Sequence, residues 1–370
     1  RHYPNAIHVL GYQDQWQRFF ASERIVLRSF GCENVFELNP RELLVYDVEK
    51  KEVEFINLNF YETVKYDDDY ENLKKKVGGY LVSAISIRIP DVKLGLLFSG
   101  AVDSSFIALV LKKLNLDFTC YTCVVKGFEK EAEDLEYSKK VAEDLGLNLE
   151  IIETTLEEVE KELPLICKLI ESNNVTKISV AIPFYFACKK ANEDGCKVIL
   201  SGLGADDLFG GYQRHLKSDI NKECYHSLLN LYERDLYRDD VITMFNKIEL
   251  RVPYLDKNLV SYALAIEGIY KINEKGNKVI LRDVALDYGL AKEFAFRKKR
   301  ATQYGGNFLK AINKLSKKNN FKTKSEYLAS FYNEGNVKLA ALFSSGKDSC
   351  YAMHIMKKQN YDVKCLITID

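Results

Sequence analysis

Residues 93–105, KLGLLFSGAVDSS, join a short apolar strand to a turn of small and hydroxyl-bearing residues. The apolar run Phe106–Leu114 follows and predicts a helix. A turn between a buried strand and a helix presents free backbone N–H groups and the positive end of the helix dipole. Small residues let a polyphosphate approach, and Ser99, Ser104 and Ser105 add hydroxyl donors. A serine-rich turn can equally be a simple N-cap, so both interpretations stay open from this turn alone.

The segments that follow alternate between apolar strands and helical patterns. This alternation predicts an α/β fold, a doubly wound parallel sheet with a helical C-terminal extension and a β-rich N-terminal part. Gly146 predicts the end of one helix. The expected elements are strands at 118–125, 149–152 and 197–200, helices at 133–145 and 183–191, and a mostly helical region from 225 to about 320.

Composition limits the functional class. Lys plus Arg and Asp plus Glu both number 53, which predicts no nucleic-acid partner, and no apolar run reaches membrane-spanning length. The nine cysteines include one CxxC, Cys120 and Cys123, which we interpret as buried thiols on a strand. We therefore expect a reducing, cytoplasmic location. The chain opens at Arg1 without a secretory signal, so we expect sequence upstream of it.

An internal repeat relates residues 92–120 to residues 337–365 at an offset of 245, with thirteen of 29 positions identical. Asp103 matches Asp348, and Ser104 matches Ser349. The repeat predicts a second strand–loop–helix–strand unit. One such unit cannot bury both faces of its sheet, so we expect the second domain to be incomplete in this chain. The duplication favours a phosphate-binding turn over a simple cap.

The string SGAVDSS resembles the SGGxDSS signature of PP-loop ATP pyrophosphatases. That family cleaves ATP between its α- and β-phosphates, and the resemblance implies that the turn grips the departing pyrophosphate. Ala101 replaces a family Gly, at a cost of about 1 kcal/mol if the position has φ > 0. The implied ATP-binding residues are Phe98, Ser99, Gly100, Asp103, Ser104 and Ser105, with adenine against the second strand near Val124 and Val125.

A second motif, SGLGADDLFGGYQ (201–213), follows a predicted strand, where ligands bind in open α/β sheets. Carboxylates beside a phosphate site are suited to Mg²⁺. The motif is similar to SGEGxDExFGGY of asparagine synthetases. The resemblance implies that Ser201 and Gly202 lie near the nucleotide and that Asp206 shares Mg²⁺ with Asp103. Leu203 replaces the family Glu, which leaves aspartate as substrate open, and Ser179 stands where the family often has Arg.

Later strings extend the resemblance. IELRVPYLD (248–256) is similar to a family segment that braces the active site, although Glu249 and Arg251 could be a plain ion pair. Pro253 predicts a break before a helix capped by Asp256. Residues 278–282 and RKKRATQYGG (297–306) resemble the family's basic string, which implies that Lys299 neutralises charge on the α-phosphate.

Both ends resemble parts of other domains. Residues 19–47 are similar to the tail of a class II glutamine amidotransferase domain, whose nucleophile is an N-terminal Cys; the first Cys here is Cys32. A plain β-rich accessory domain is the alternative. Residues 342–369 are similar to the start of diphthine–ammonia ligases, another PP-loop family. We therefore expect domains at 1–66, 67–325 and 337–370.

The expected function is an AMP-forming ligase that adenylates a small-molecule or protein carboxylate and amidates it with ammonia or glutamine nitrogen. ATP and Mg²⁺ are the expected cofactors. Two alternatives stay open: a diphthine–ammonia ligase acting on elongation factor 2, and a non-catalytic nucleotide-binding module. The sequence leaves open the acceptor, the ammonia source and whether the protein is a homodimer.

Overall fold

The computed structural model describes part of the 370-residue chain. The described residues are 9–12, 18–32, 34–58, 68–128, 132–216, 219–297, 306–332, 338–342, 344, 346–358 and 362–368. Within them, no helix is long and apolar enough to cross a membrane.

The N-terminal part is rich in short strands, as expected, but also contains a helix. The elements are β1 (Val9–Tyr12), β2 (Arg18–Ala21), α1 (Arg24–Ser29), β3 (Asn34–Glu37), β4 (Glu42–Asp47), β5 (Glu52–Asn57) and α2 (Tyr70–Ser86). Strand β1 pairs antiparallel with both β2 and β3, and β4 and β5 form a separate antiparallel hairpin. The long helix α2 then leads into the central sheet.

The central part alternates strands and helices along the chain. Its elements are β6 (Leu94–Leu97), α3 (Val102–Lys113), β7 (Phe118–Val125), α4 (Glu133–Leu145), β8 (Asn148–Thr154), α5 (Leu156–Leu169), α6 (Val175–Glu193), β9 (Val198–Leu200) and α7 (Ala205–Phe209). All eight residues of β7 are buried, as is typical of a central strand in a parallel sheet covered on both faces. Each fully buried Leu or Phe in such a core contributes roughly 1.5–3 kcal/mol.

The region after α7 is mostly helical, as expected. It begins with a 3₁₀ turn (Gln213–Leu216), α8 (Ile220–Leu229), a π-helical turn (Tyr232–Leu236), α9 (Tyr237–Phe245), β10 (Glu249–Arg251) and a second 3₁₀ turn (Pro253–Leu255). It continues with α10 (Lys257–Ala265), α11 (Gly268–Lys271), β11 (Ile272–Asn273), β12 (Gly276–Asn277), α12 (Val279–Asp287), α13 (Lys292–Ala295), α14 (Phe308–Lys318) and α15 (Lys324–Ala329).

The central sheet has the strand order β10-β9-β6-β7-β8, and every neighbouring pair is parallel. The chain fills one side of β6 with β7 and β8, then returns to the other side with β9 and β10. The strand order therefore reverses between β6 and β9, and open α/β sheets place their ligands at such a reversal. This arrangement confirms the predicted α/β parallel sheet and brings the segments after β6 and β9 side by side.

Most predicted boundaries agree with the structure. Strand β7 and helix α4 have the expected bounds, and Gly146 ends α4 in the left-handed region. Cys120 and Cys123 are buried free thiols, as interpreted, and burial raises the pKa of both. The carboxylate of Asp256 caps α10 directly after the Pro253 turn.

Two predictions need correction, and one strand was missed. Helix α3 begins at Val102 instead of Phe106, so part of the serine-rich turn is already helical. Helix α6 runs through Pro183 from Val175, because Asn174 caps it eight residues earlier than expected. Strand β10 was not predicted, because its three residues give too short a pattern.

The internal repeat has the expected shape. Its elements are β13 (Lys338–Leu342), α16 (Lys347–Lys358) and β14 (Asp362–Ile367), and β13 pairs parallel with β14. Ser349 Oγ donates to the Gly346 carbonyl at 2.9 Å, and the equivalent Ser104 Oγ donates to the Ala101 carbonyl at 3.3 Å. The two turns thus contain the same internal hydrogen bond. The bounds of the three proposed domains stay predictions.

Candidate active site

The turn after β6 packs tightly against helix α4. Gly100 has φ +65°, and a Cβ there would lie 2.7 Å from the backbone carbon of Tyr137 and 2.8 Å from the nitrogen of Ser138. This position therefore requires glycine for two reasons: its backbone is left-handed, and a Cβ would collide with the backbone of α4. Ala101 has φ −85° and an extended backbone. The strain considered for Ala101 is absent, because the left-handed residue is its neighbour.

The second motif meets this turn through close glycine contacts. A Cβ on Gly202 would lie 2.9 Å from the Cβ of Asp103, and a Cβ on Gly211 would lie 1.8 Å from Oδ1 of Asp206. The Gly211 position would also lie 2.6 Å from Cε of Lys278. The two glycines therefore form the walls of a space that contains Asp103, Asp206 and the lysine side chain.

Lys278 joins the two carboxylates. Its Nζ lies 2.8 Å from both oxygens of Asp103 and 2.5 Å from Oδ1 of Asp206. The lysine side chain is only 3% exposed, that of Asp103 is 4% exposed, and that of Asp206 is 24% exposed. Tyr254 fixes the same region by donating its hydroxyl to the Asp103 carbonyl at 2.9 Å. The expected neighbours Asp103 and Asp206 thus share one cation.

Arg297 holds the other side of the turn. Its Nη1 donates to the carbonyl of Ser99 at 2.9 Å, and its Nη2 donates to Asp134 at 2.8 Å. Its guanidinium carbon also lies 4.0 Å from the centre of the Tyr137 ring. Arg297 is buried and belongs to the basic string of the sequence, whereas the predicted Lys299 lies outside the described residues.

A cavity of about 850 Å³ opens at this edge of the sheet. Seven predicted site residues line it: Phe98, Ser99, Asp103, Ser104, Ser201, Gly202 and Asp206. Four others lie outside its lining. A Cβ on Gly100 would meet the backbone of α4. The Ser105 side chain is buried, and its hydroxyl has no hydrogen-bond partner among the described residues. Val124 packs with Ala132, Leu135 and Ile151, and Val125 belongs to the core. The residues of β7 that contact the cavity are Tyr121, Thr122 and Cys123.

Away from the turn, part of one wall of the cavity is apolar, next to the polar Thr176 and Lys177 at the start of α6. Val180, Pro183, Phe184 and Ala187 come from a single face of α6, and Leu203 comes from the second motif. The spacing of the α6 residues follows the helical repeat, so they form a continuous stripe. Ser179 lies outside this lining, where its hydroxyl donates to the Thr176 carbonyl.

A partly buried network of charges at the π-helical turn also lines the cavity. Arg234 contacts Asp207 at 2.6 Å and Asp235 at 2.5 Å, and Arg238 contacts Asp235 at 2.8 Å and Asp239 at 2.6 Å. Burial raises the pKa of Asp239 to about 6 despite the neighbouring Arg238. π-Helical turns interrupt helices frequently at functional sites. Sequence reasoning missed this network, because the segment 232–239 reads as a plain charged helix.

Glu249 and Arg251 have a structural role. Arg251 Nε lies 2.9 Å from Glu249, and its Nη1 donates to the carbonyl of Arg88 at 2.8 Å. Neither residue lines the cavity. The plain ion pair considered from the sequence is therefore confirmed.

Comparison with known proteins identifies the family to which the two motifs of this site belong. The asparagine synthase family model matches residues 79–225 and 216–328, which cover both motifs and Lys278. A putative glutamine-hydrolysing asparagine synthetase 1 of Methanocaldococcus jannaschii is 34% identical over 85% of this chain and 68% of its own length. The chain belongs to the asparagine synthase family. Membership identifies an ATP-using, ligase-type domain, as the sequence predicted.

More distant similarities are also found. An asparagine synthetase domain-containing protein of Saccharomyces cerevisiae, YML096W, is 28% identical over 74% of this chain and 58% of its own length. This chain thus spans between half and two thirds of the yeast relative. Among solved structures, NMN synthetase from Francisella tularensis aligns with a TM-score of 0.37 and 12% identity, covering 75% of this chain and all of that one.

Proposed function

We propose that this chain uses ATP to adenylate a carboxylate and then forms an amide with ammonia, releasing AMP and pyrophosphate. The observation that carries the proposal is the meeting of Asp103 and Asp206 around one cation at the mouth of the serine-rich turn. Glutamine is a second source of the nitrogen. We also propose a cytoplasmic location.

The turn supplies what the phosphates need. Ser99 and Ser104 line the cavity, and the helix α3 directs its first N–H groups toward the same end. Arg297 holds the Ser99 carbonyl, which fixes the turn without occupying it. A rigid cradle of this kind stabilises negative charge on a leaving pyrophosphate without having to reorganise during the reaction.

The two carboxylates suit Mg²⁺. Mg²⁺ in nucleotide sites is usually held by one or two carboxylates, with phosphate oxygens and water completing its shell. Asp103 and Asp206 provide such a pair, and Gly202 and Gly211 leave space beside them. The described residues contain no group of three or more His, Cys, Asp or Glu that could hold a metal alone. Mg²⁺ held here would neutralise charge on the phosphates.

The apolar wall of α6 and Leu203 favours an acceptor with an uncharged body next to its reacting carboxylate. Leu203 cannot pair with an ammonium group, which the family Glu could do. The described carboxylates of the lining, Asp103, Asp134, Asp206, Asp235 and Asp239, each contact a Lys or Arg. The described lining therefore offers the ammonium group of an amino-acid acceptor no carboxylate without a basic partner.

The proposed reaction has two steps. An oxygen of the acceptor carboxylate attacks the α-phosphorus, the bond to the β-phosphate oxygen breaks, and pyrophosphate leaves into the turn. Ammonia then attacks the acyl carbon, AMP leaves with the bonding electrons, and the surplus proton passes to solvent. We propose that Lys299 stabilises the charge on the α-phosphate in the first step.

Exchange of labelled pyrophosphate into ATP tests the first step, with a panel of carboxylates as acceptors. Asp206→Ala and Lys299→Ala should each abolish exchange. Glu160→Gln is the matched control, because Glu160 pairs with Lys318 at the surface and should leave exchange unchanged. Wild-type exchange in the Asp206→Ala variant would reject the assignment. Nucleotide binding without exchange for any acceptor would instead support a non-catalytic module.

A further inference from the structure

We propose that Lys278 is a built-in substitute for the divalent cation, so that a metal ion binds between Asp103 and Asp206 only together with nucleotide. This inference rests on the metal site of the proposed function. Lys278 comes from β12–α12, far along the chain from both acids, yet its ammonium contacts both. The ammonium of Lys278 therefore lies between the two carboxylates, at the place where a shared metal ion would bind.

Charge explains why the pair needs a cation at all times. Two carboxylates converging on one point repel each other, and burial strengthens that repulsion. The Asp103 side chain is 4% exposed, so water screens it little. An ammonium with three donors satisfies both acids at 2.5–2.8 Å. Without Lys278 the empty site would be strongly attractive to another cation.

Charge also explains why the exchange requires nucleotide. A divalent ion and Lys278 together carry three positive charges against the two negative charges of the acid pair, and the guanidinium of Arg282 adds a further positive charge facing the same acids. The ion cannot enter until the ammonium moves away, and the displaced ammonium needs a new anionic partner. Lys278 lines the cavity next to the serine-rich turn, so the phosphates of a bound nucleotide provide that partner. Metal and nucleotide would then bind together.

The backbone keeps the lysine at this position. Lys278 has φ +55°, a left-handed conformation that is uncommon for a residue with a side chain. It precedes the first turn of α12, and Asn277 next to it donates to the Gly211 carbonyl at 2.9 Å. The Cα is therefore fixed, whereas the four-carbon side chain can rotate between the acids and the cavity.

Mn²⁺ alone, titrated into nucleotide-free protein and followed by the electron paramagnetic resonance of the free ion, tests the inference. Lys278→Met keeps an unbranched side chain one atom shorter and removes its charge. We expect this variant to bind Mn²⁺ at least about tenfold more tightly than the wild type, and Lys278→Met combined with Asp206→Asn to lose the gain. Wild-type protein should bind Mn²⁺ well only after addition of a non-hydrolysable ATP analogue, measured as the extra loss of free Mn²⁺ relative to the same analogue without protein, because the analogue itself chelates Mn²⁺.

Two results would overturn the inference: nucleotide-free wild type that binds Mn²⁺ as tightly as Lys278→Met, or folded Lys278→Met that gains no affinity. If the variant does not fold, the dependence of wild-type Mn²⁺ binding on the ATP analogue decides alone. Pyrophosphate exchange by the wild type is measured in parallel. Exchange without the gain in Lys278→Met rejects only this inference, whereas the gain without exchange for any acceptor rejects only the proposed reaction.

Discussion

Arg297 donates a hydrogen bond to the main-chain carbonyl of Ser99, 198 residues earlier in the chain, at 2.9 Å. The same guanidinium contacts Asp134, so one side chain joins the serine-rich turn to helix α4. A lysine retains the charge but cannot make both planar contacts. We expect Arg297→Lys to raise the dissociation constant for ATP by roughly tenfold, since hydrogen bonds to charged groups contribute about 1.5–3 kcal/mol.

Equilibrium binding of a fluorescent ATP analogue measures this effect. Arg297→Met would remove the guanidinium that pairs with the buried Asp134, at a cost of roughly 3–5 kcal/mol in unfolding free energy. The lysine variant is therefore the cleaner probe. An unchanged affinity for ATP in Arg297→Lys would show that nucleotide binding by the turn does not depend on the two contacts of Arg297 with Ser99 and Asp134.

The space beside Gly211 gives a second prediction. A Cβ there would lie 1.8 Å from Oδ1 of Asp206, so Gly211→Ala must displace the carboxylate or the lysine. We expect pyrophosphate exchange to fall by at least about a hundredfold, which corresponds to about 2.7 kcal/mol. Gly79→Ala is the matched control, because Gly79 is an exposed residue of α2 with no atom within 4 Å of its added Cβ. The control should gain roughly 0.5–1 kcal/mol in stability and keep its exchange rate.

The third prediction concerns the choice of acceptor. Leu203→Glu restores the acid of the family motif at the cavity wall. We expect exchange with L-aspartate to rise by about tenfold or more relative to the wild type, because a carboxylate can pair with the substrate ammonium. Leu203→Gln has the same size without the charge and should not show the rise. Equal rates in the two variants would assign selectivity to another part of the cavity.

A fourth prediction follows from His215, which is fully buried. Burial, followed by the nearby Arg214, lowers the pKa of His215 to about 4. The unfolded chain therefore takes up a proton near pH 6.5 while the folded protein does not. The contribution of His215 to the free energy of unfolding is therefore fully present above pH 6.5 and declines as the pH falls from 6.5 toward 4.

Urea unfolding at pH 7.5, 5.5 and 4.5 measures this dependence. His215→Asn retains an acceptor for the Tyr212 N–H, which the histidine Nδ1 accepts at 3.3 Å, and does not titrate. Its stability should decline less steeply than that of the wild type between pH 6.5 and 4. Parallel curves for the two proteins would contradict the assignment. The comparison removes the contribution of other groups such as Asp239.

Local patterns in the sequence predicted much of the fold and part of the candidate site. Strand β7 and helix α4 have clear periodicity and a glycine stop, so their bounds agree with the structure. These bounds need only local patterns. The expectation that Asp103 and Asp206 lie together came from the family resemblance, and the pairing of β6 with β9 in the structure explains it.

The side chains that complete the site come from far along the chain. The family resemblance marked the strings that contain Lys278 and Arg297, but no local pattern shows that one contacts Asp103 and the other Ser99. Such contacts depend on how the helical region folds back over the sheet. The position of the left-handed residue was equally hidden, because the string Gly100-Ala101 fits a turn of either kind.

The placement of β6 next to β9, with β7 and β8 inserted in sequence between them, also affects synthesis of the protein. A growing chain on the ribosome releases the serine-rich turn first, Asp206 about a hundred residues later, and Lys278 and Arg297 later still. Nucleotide therefore cannot stabilise early intermediates. Nucleotide binding therefore requires the whole domain to have been synthesised. Translation arrested before Lys278 should give nascent chains that an ATP-agarose resin does not retain.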